Sequence, residues 1–305
     1  MPIIRPPRLA PGDAIRLVAP SGPVPVEELE AGALLLARRY RVRYDRAALY
    51  EKTGYLAGSD EHRLAELKAA IADPEAKAVM MARGGYGLLR LLPFLEPAFL
   101  RANPKPLIGF SDGTALLAYA ARAGVASVHA PVVTQLARLP AEDRDGLYGL
   151  LERPGRGLLL DRLESGLPGR VAGPLLGGNL EVFSRLVGTP FLPDPVGAIL
   201  FLEEIGERPY RIDRLLTHLD LSGIFSVVEA VVVGEFKDCD ERADSKLVSP
   251  TVAEVLEERL GRLAIPVAFG ATIGHGERNS ALPYGTMVEL DTRDGTLVAL
   301  EGAVS

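Results

Sequence analysis

Short apolar runs of strand length alternate with segments of helical spacing through the first part of this chain, and this alternation restricts the fold more than any other feature. Residues 14–20 form a β-rich apolar run, and after the turn-prone Ser21-Gly22-Pro23 residues 26–40 carry helical spacing. Residues 41–44, 77–81 and 106–110 read as further strands, with helices expected over 62–72 and 114–123. Strands alternating with helices predict a mostly parallel sheet covered on both faces.

Residues 140–167 are rich in Arg, Gly, Pro and Asp with no sustained period, so a connection between two domains, 1–160 and 161–305, is expected there. A chain of 305 residues with 48% hydrophobic content is long enough for two such units. Beyond the connection come an apolar strand at 198–202, a helix near 212–219, a strand at 230–233 and a helix at 252–260. Two alternating strands around Arg293-Asp294-Gly295 close the chain as a hairpin. The second domain is therefore expected to be a smaller mixed α/β unit with an antiparallel element.

Charge and cysteine content exclude several classes of function. The net charge of -6 comes from 34 basic and 40 acidic residues, which leaves no broad cationic surface for a nucleic-acid polymer or an anionic membrane. No apolar stretch approaches membrane-spanning length and the start lacks a signal-peptide core, so a cytoplasmic location is expected. The single cysteine, Cys239, can form neither an internal disulfide nor a zinc-thiolate cluster and reads as an incidental loop thiol.

The chemistry concentrates at Gly109-Phe110-Ser111-Asp112-Gly113, a G-x-S-x-G pattern between an expected strand and an expected helix. A sharp strand-to-helix turn lifts a serine hydroxyl clear of the sheet, although a serine here could also be a helix N-cap. A serine nucleophile needs a positioned base, and the chain has four histidines. His62 and His218 fall on expected helix surfaces, and His129 ends an apolar run as either a structural or a supporting group. His275, between Gly274 and Gly276 in a loop after an apolar run, has the setting of a functional residue. The base needs a carboxylate to fix its tautomer, and Glu203 and Glu204 close the apolar run 198–202. Strand parity sends the two to opposite faces, but both faces are apolar, so periodicity does not choose between them. Ala82-Arg83-Gly84-Gly85-Tyr86-Gly87 follows another strand and offers close-approaching backbone N–H groups to an oxyanion; it lacks the form of a nucleotide phosphate loop.

Six separated blocks carry a resemblance. GYLAGSDEHRLAEL from Gly54, ARGGYG from Ala82, IGFSDGTALL from Ile108, GPLLGGNLEV from Gly173, LEEIGERPYRIDRLLTHL from Leu202 and GHGERNSALPYG from Gly274 together resemble the LD-carboxypeptidase family, serine peptidases of murein recycling that also include microcin C immunity peptidases. The resemblance implies a flavodoxin-like N-terminal domain carrying the nucleophile and a C-terminal domain carrying Glu and His. It maps the nucleophile to Ser111, the acidic member to Glu203, the base to His275, and the oxyanion hole to the N–H groups of Gly85 and Asp112. It also implies a homodimer, no metal and no cofactor.

Within that family the substrate is either a murein tetrapeptide, which loses its terminal D-alanine at an L,D-linked amide, or an aminoacyl-nucleotide-like conjugate. The chain has no tryptophan to clamp a nucleobase, which favours the first. Arg83 or Asn279 is expected to hold the terminal carboxylate, a group that a guanidinium fork suits. The rival readings are an esterase or lipase, disfavoured because a further hairpin follows His275, and a non-catalytic small-ligand or nucleotide-binding protein whose glycine loops only cradle an anion.

Overall fold

The computed structural model describes residues 3–241 and 249–305. Five strands, β1 (Ala14–Val18), β2 (Arg41–Arg43), β3 (Ala76–Met81), β4 (Leu107–Gly109) and β5 (Ser127–His129), pair in parallel in the order β2-β1-β3-β4-β5. That order is flavodoxin-like, and its direction reverses between β1 and β3, where ligands of such sheets bind beyond the carboxyl ends of the strands. Alternation sorts the two faces. Ala78 and Met80 join a core with Leu29, Leu36, Leu147 and Leu151 on one side, while Val79 and Met81 join Leu67, Ile71 and Leu117 on the other.

The second sheet contains β6 (Gly157–Leu160), β7 (Arg170–Asn179), β8 (Ile199–Ile205), β9 (Ala230–Lys237) and β10 (Val267–Ala268), then β12 (Met287–Asp291) and β13 (Thr296–Ala299). Its order is β10-β9-β8-β7-β12-β13-β6; the first four strands are parallel and the rest antiparallel. The mixed second unit agrees with the sequence reading. The remaining strand, β11 (Leu282–Tyr284), crosses back and pairs antiparallel with β5, placing Leu282 opposite His129.

The helix Thr114–Arg122 lies between the two sheets, with every residue from Thr114 to Ala120 buried. Its small residues allow burial on all sides, so one apolar core runs from β3 and β4 through this helix to β7, β8 and β9. Packing of this kind holds the two sheets as one body at the level of the helix.

Residues 140–167, which show no sustained period in sequence, hold a helix at Ala141–Glu152 followed by β6. The buried positions of this helix, Asp143, Leu147 and Leu151, keep a spacing of four, but a carboxylate stands where a helix normally shows an apolar residue. That substitution hides the stripe.

Candidate active site

β4 ends at Gly109, Phe110 is extended, and Ser111 takes a φ of +60° before the tight turn Ser111–Gly113 enters the helix Thr114–Arg122. A left-handed conformation at a residue with a Cβ is strained by roughly 1–2 kcal/mol and occurs where the structure around it dictates the position of a side chain. Ser111→Gly is therefore expected to be more stable than Ser111→Ala by about 1 kcal/mol. Urea midpoints of the two variants check this, and a more stable alanine variant would show that the turn is unstrained.

The loop after β3 passes beneath the serine. A methyl group on Gly84 would sit 2.8 Å from the Ser111 Cβ, 2.9 Å from its Oγ and 3.7 Å from the Asp112 nitrogen, so only glycine leaves that space open. Gly85 has a φ of +116°, and among the described residues its N–H donates to no backbone or side-chain acceptor. The Gly22 N–H donates to the Gly84 carbonyl at 3.1 Å, tying the loop to the end of β1. The buried Asp112 carboxylate accepts the Ser21 hydroxyl at 2.6 Å and the Leu88 N–H at 2.9 Å, and burial raises its carboxyl above the usual range.

β8 brings in the acidic pair. It runs on to Ile205, so both glutamates lie inside the strand, and its register against β9 shifts between Leu202 and Glu204. Glu203 is 0% exposed, and its Oε2 lies 2.7 Å from the His275 Nδ1. The His275 Nε2 lies 3.1 Å from the Ser111 Oγ, and its side chain is 12% exposed. Glu204 faces the other way, accepting the Asn179 amide at 2.7 Å and the Glu181 and Ile205 N–H groups at 2.8 Å each. Burial outweighs these bonds and pushes its carboxyl up to about 7.

The structure thus brings Ser111, Glu203 and His275 into one hydrogen-bonded series, with Gly84, Gly85 and Asp112 beside the serine. Arg83 lines the same cavity, of about 640 Å³, and donates from its guanidinium to the Pro23 carbonyl. Asn279 does not line it; the residue is fully buried and its side-chain carbonyl accepts the Gly274 N–H at 3.1 Å. Sequence reasoning misses Arg138, Glu27 and Glu28, which also line this cavity. No local pattern marks them, because the fold alone carries them to the serine.

The other titratable candidates lie elsewhere. His129 is fully buried with its ring edge-on to Phe110 and Phe201, and desolvation lowers its imidazole to about 3. His62 contacts the Ala48 carbonyl at 3.1 Å and His218 the Ser184 hydroxyl at 2.8 Å. Cys239 is a loop thiol buried against the core, where desolvation pushes it up to about 12 and away from the reactive thiolate.

A parallel α/β sheet with a strained serine turn at a strand's carboxyl end, joined through an imidazole to a buried carboxylate, is the architecture of a serine-type hydrolase. Comparison with known proteins narrows the class. Residues 15–130 match the LD-carboxypeptidase N-terminal domain and residues 172–290 the LD-carboxypeptidase C-terminal domain. The chain is 35% identical over 289 residues to the murein tetrapeptide carboxypeptidase of Pseudomonas aeruginosa, covering 91% of this chain and 92% of that one. The crystal structure of muramoyltetrapeptide carboxypeptidase from Oxalobacter formigenes superimposes with a TM-score of 0.81 at 30% identity, covering 95% and 98% of the two chains. The microcin C7 self-immunity protein MccF in complex with aspartyl sulfamoyl adenosine does so with a TM-score of 0.88 at 26% identity, covering 99% and 100%. This chain belongs to the LD-carboxypeptidase family and is a carboxypeptidase.

Proposed function

We propose that the protein hydrolyses the L,D-amide bond of murein tetrapeptides and releases the terminal D-alanine, acting as a cytoplasmic homodimer in cell-wall recycling. The observation that carries the reading is the Glu203–His275–Ser111 series, two short contacts that set an imidazole against a serine oxygen. Its likeness to murein tetrapeptide carboxypeptidases supports the choice of substrate.

Ser111 attacks the carbonyl of the scissile amide while the His275 Nε2 takes the hydroxyl proton. The N–H groups of Gly85 and Asp112 receive the oxyanion, and the absence of a side chain on Gly84 keeps the Ser111 hydroxyl free of a clash. His275 then protonates the departing amine of D-alanine, which leaves as the amino acid, and the acyl group stays on Ser111. Water, deprotonated by His275, releases the shortened peptide and restores the serine. Glu203 holds the Nδ1 side of the ring and supports the imidazolium between these steps. Arg83 and Arg138 offer the cavity's cationic groups to the terminal carboxylate of the substrate.

Mass spectrometry after incubation is expected to show tetrapeptide converted to tripeptide plus D-alanine, with the corresponding all-L peptide intact. Rapid cleavage of an aminoacyl-nucleotide conjugate with no tetrapeptide turnover would transfer the protein to the immunity-type reading. Chelators are expected to leave turnover unchanged, since among the described residues no three His, Cys, Asp or Glu side chains converge as a metal site. Activity abolished by chelation and restored by Zn²⁺ would contradict the serine mechanism.

A further inference from the structure

We infer that Asp143 is a positioning residue for His275, holding the loop that carries the base in register with the sheet that carries the nucleophile. The inference rests on the reading of Ser111 and His275 as nucleophile and base. Ser111 stands at the end of β4 in the first sheet, whereas Glu203 belongs to β8 in the second. The loop bearing His275 leaves β10 in the second sheet and enters β11 in the first, so it crosses between the two. Glu203 orients the imidazole from its own sheet alone. β11 anchors the far end of the loop to the first sheet, and a contact closer to the base would fix the segment between them.

Asp143 supplies that contact. It lies in the first turn of the helix Ala141–Glu152, whose Leu147 and Leu151 pack in the first sheet's core. An acidic residue there ordinarily turns to its own free N–H groups, yet this helix shows no side-chain cap. The carboxylate reaches outward to the loop. Its Oδ1 accepts the Arg278 Nε and Nη2, each at 2.9 Å, and its Oδ2 accepts the Arg278 Nε at 3.1 Å and the Asn279 N–H at 3.2 Å. The carboxylate is fully buried, and the fork is the planar bidentate geometry that restricts orientation as well as distance.

From Asn279 the constraint passes back to the base. The Asn279 side-chain carbonyl accepts the Gly274 N–H at 3.1 Å, and Gly274 takes a φ of +125° immediately before His275. A methyl group on Gly274 would lie 3.0 Å from the Glu203 Oε2, so this backbone is pressed against the carboxylate that holds the imidazole. Asp143, Asn279 and Gly274 thus form a continuous path of hydrogen bonds and packed backbone from the first sheet to His275. Releasing it lets the imidazole keep Glu203 while drifting from Ser111. A displacement of about 1 Å at a reacting group can cost on the order of 10²-fold in rate.

The test compares wild type with Asp143→Asn, with Asp143→Asn/Arg278→Gln, which removes both charges should the single variant fold poorly, and with Glu152→Gln. Glu152 lies on the same helix but binds Arg39 and Tyr40 away from the site, so its variant loosens the helix without touching the loop. Fluorophosphonate labelling of Ser111 and tetrapeptide kinetics are both measured, with folding checked by thermal unfolding. The expected result is a fall of about 30-fold in labelling rate and in kcat for both Asp143 variants, KM within about threefold, and near wild-type kcat for Glu152→Gln. Asp143 variants that label at the wild-type rate, or a Glu152→Gln loss of the same size, would overturn the inference. Labelling does not need the peptide, so a wild type that labels but leaves tetrapeptide intact defeats the substrate reading while the labelling rates still decide the role of Asp143. A wild type inert to both overturns this inference together with the triad.

Discussion

Glu203→Gln is expected to lower turnover about 10⁴-fold while leaving the fold nearly unchanged, the loss seen when the carboxylate of such a series becomes an amide. The Glu203 Oε2 lies 2.7 Å from the His275 Nδ1, and the carboxylate is wholly buried. That contact requires the proton on Nδ1 and leaves Nε2 free to accept from the Ser111 hydroxyl. An amide can present its NH₂ to the ring instead, which favours the opposite tautomer and aims a proton at the serine oxygen. The charge that supports the imidazolium also disappears. Glu204→Gln separates this effect from the general cost of altering a buried acidic pair. The Glu204 carboxylate accepts three N–H donors, so its amide should cost about 1–3 kcal/mol of stability through an unmatched donor. Turnover should stay within about tenfold of wild type. Kinetics and thermal unfolding of both variants check the pair, and a dead Glu204→Gln beside an active Glu203→Gln would reverse the assignment.

The second large effect concerns acid stability. His129 is fully buried between Phe110 and Phe201, and desolvation lowers its imidazole from 6.5 to about 3. The unfolded chain therefore binds a proton that the folded one refuses between these values. The contribution of this group to stability is fully present above about pH 6.5 and is lost as pH falls, at about 1.4 kcal/mol per unit. By pH 4 the loss is on the order of 3 kcal/mol. His129→Leu places an apolar side chain of similar size in the same buried site and removes the titration, so its stability should fall less between pH 7 and pH 4, by about that amount. Glu204 acts in the opposite sense. Its raised carboxyl gives stability that is lost as pH rises from about 4.5 to about 7, and the comparison of His129→Leu with wild type cancels it. Parallel stability curves for the two proteins would show that His129 is solvated or paired.

Much of this arrangement is legible in the chain because local pattern and global fold agree. The strand before Ser111 and the helix after it are each specified by their own residues, and the glycines of the β3 loop mark by themselves a place of close backbone approach. Long-range geometry is less accessible. Glu203 and Glu204 carry identical chemistry with apolar neighbours on both faces, and only the meeting of β8 with the His275 loop distinguishes them. Asp143 is hidden for a related reason, because its partners lie more than a hundred residues away and its charge interrupts the stripe that would announce the helix. Asn279 reads in sequence as a ligand-binding amide, although its contacts are to Asp143 and Gly274 inside the protein. Polar residues of these kinds declare themselves through partners that the fold assembles, and periodicity does not encode partners.

The most direct test of the central claim is the fate of an L,D-linked murein tetrapeptide incubated in parallel with wild type and with folded Ser111→Ala, followed by mass spectrometry. Wild type should yield tripeptide and free D-alanine, and Ser111→Ala should leave the tetrapeptide intact, since the hydroxyl proposed as the nucleophile is absent while Glu203 and His275 remain in place. Tripeptide formed by Ser111→Ala at the wild-type rate would contradict the account.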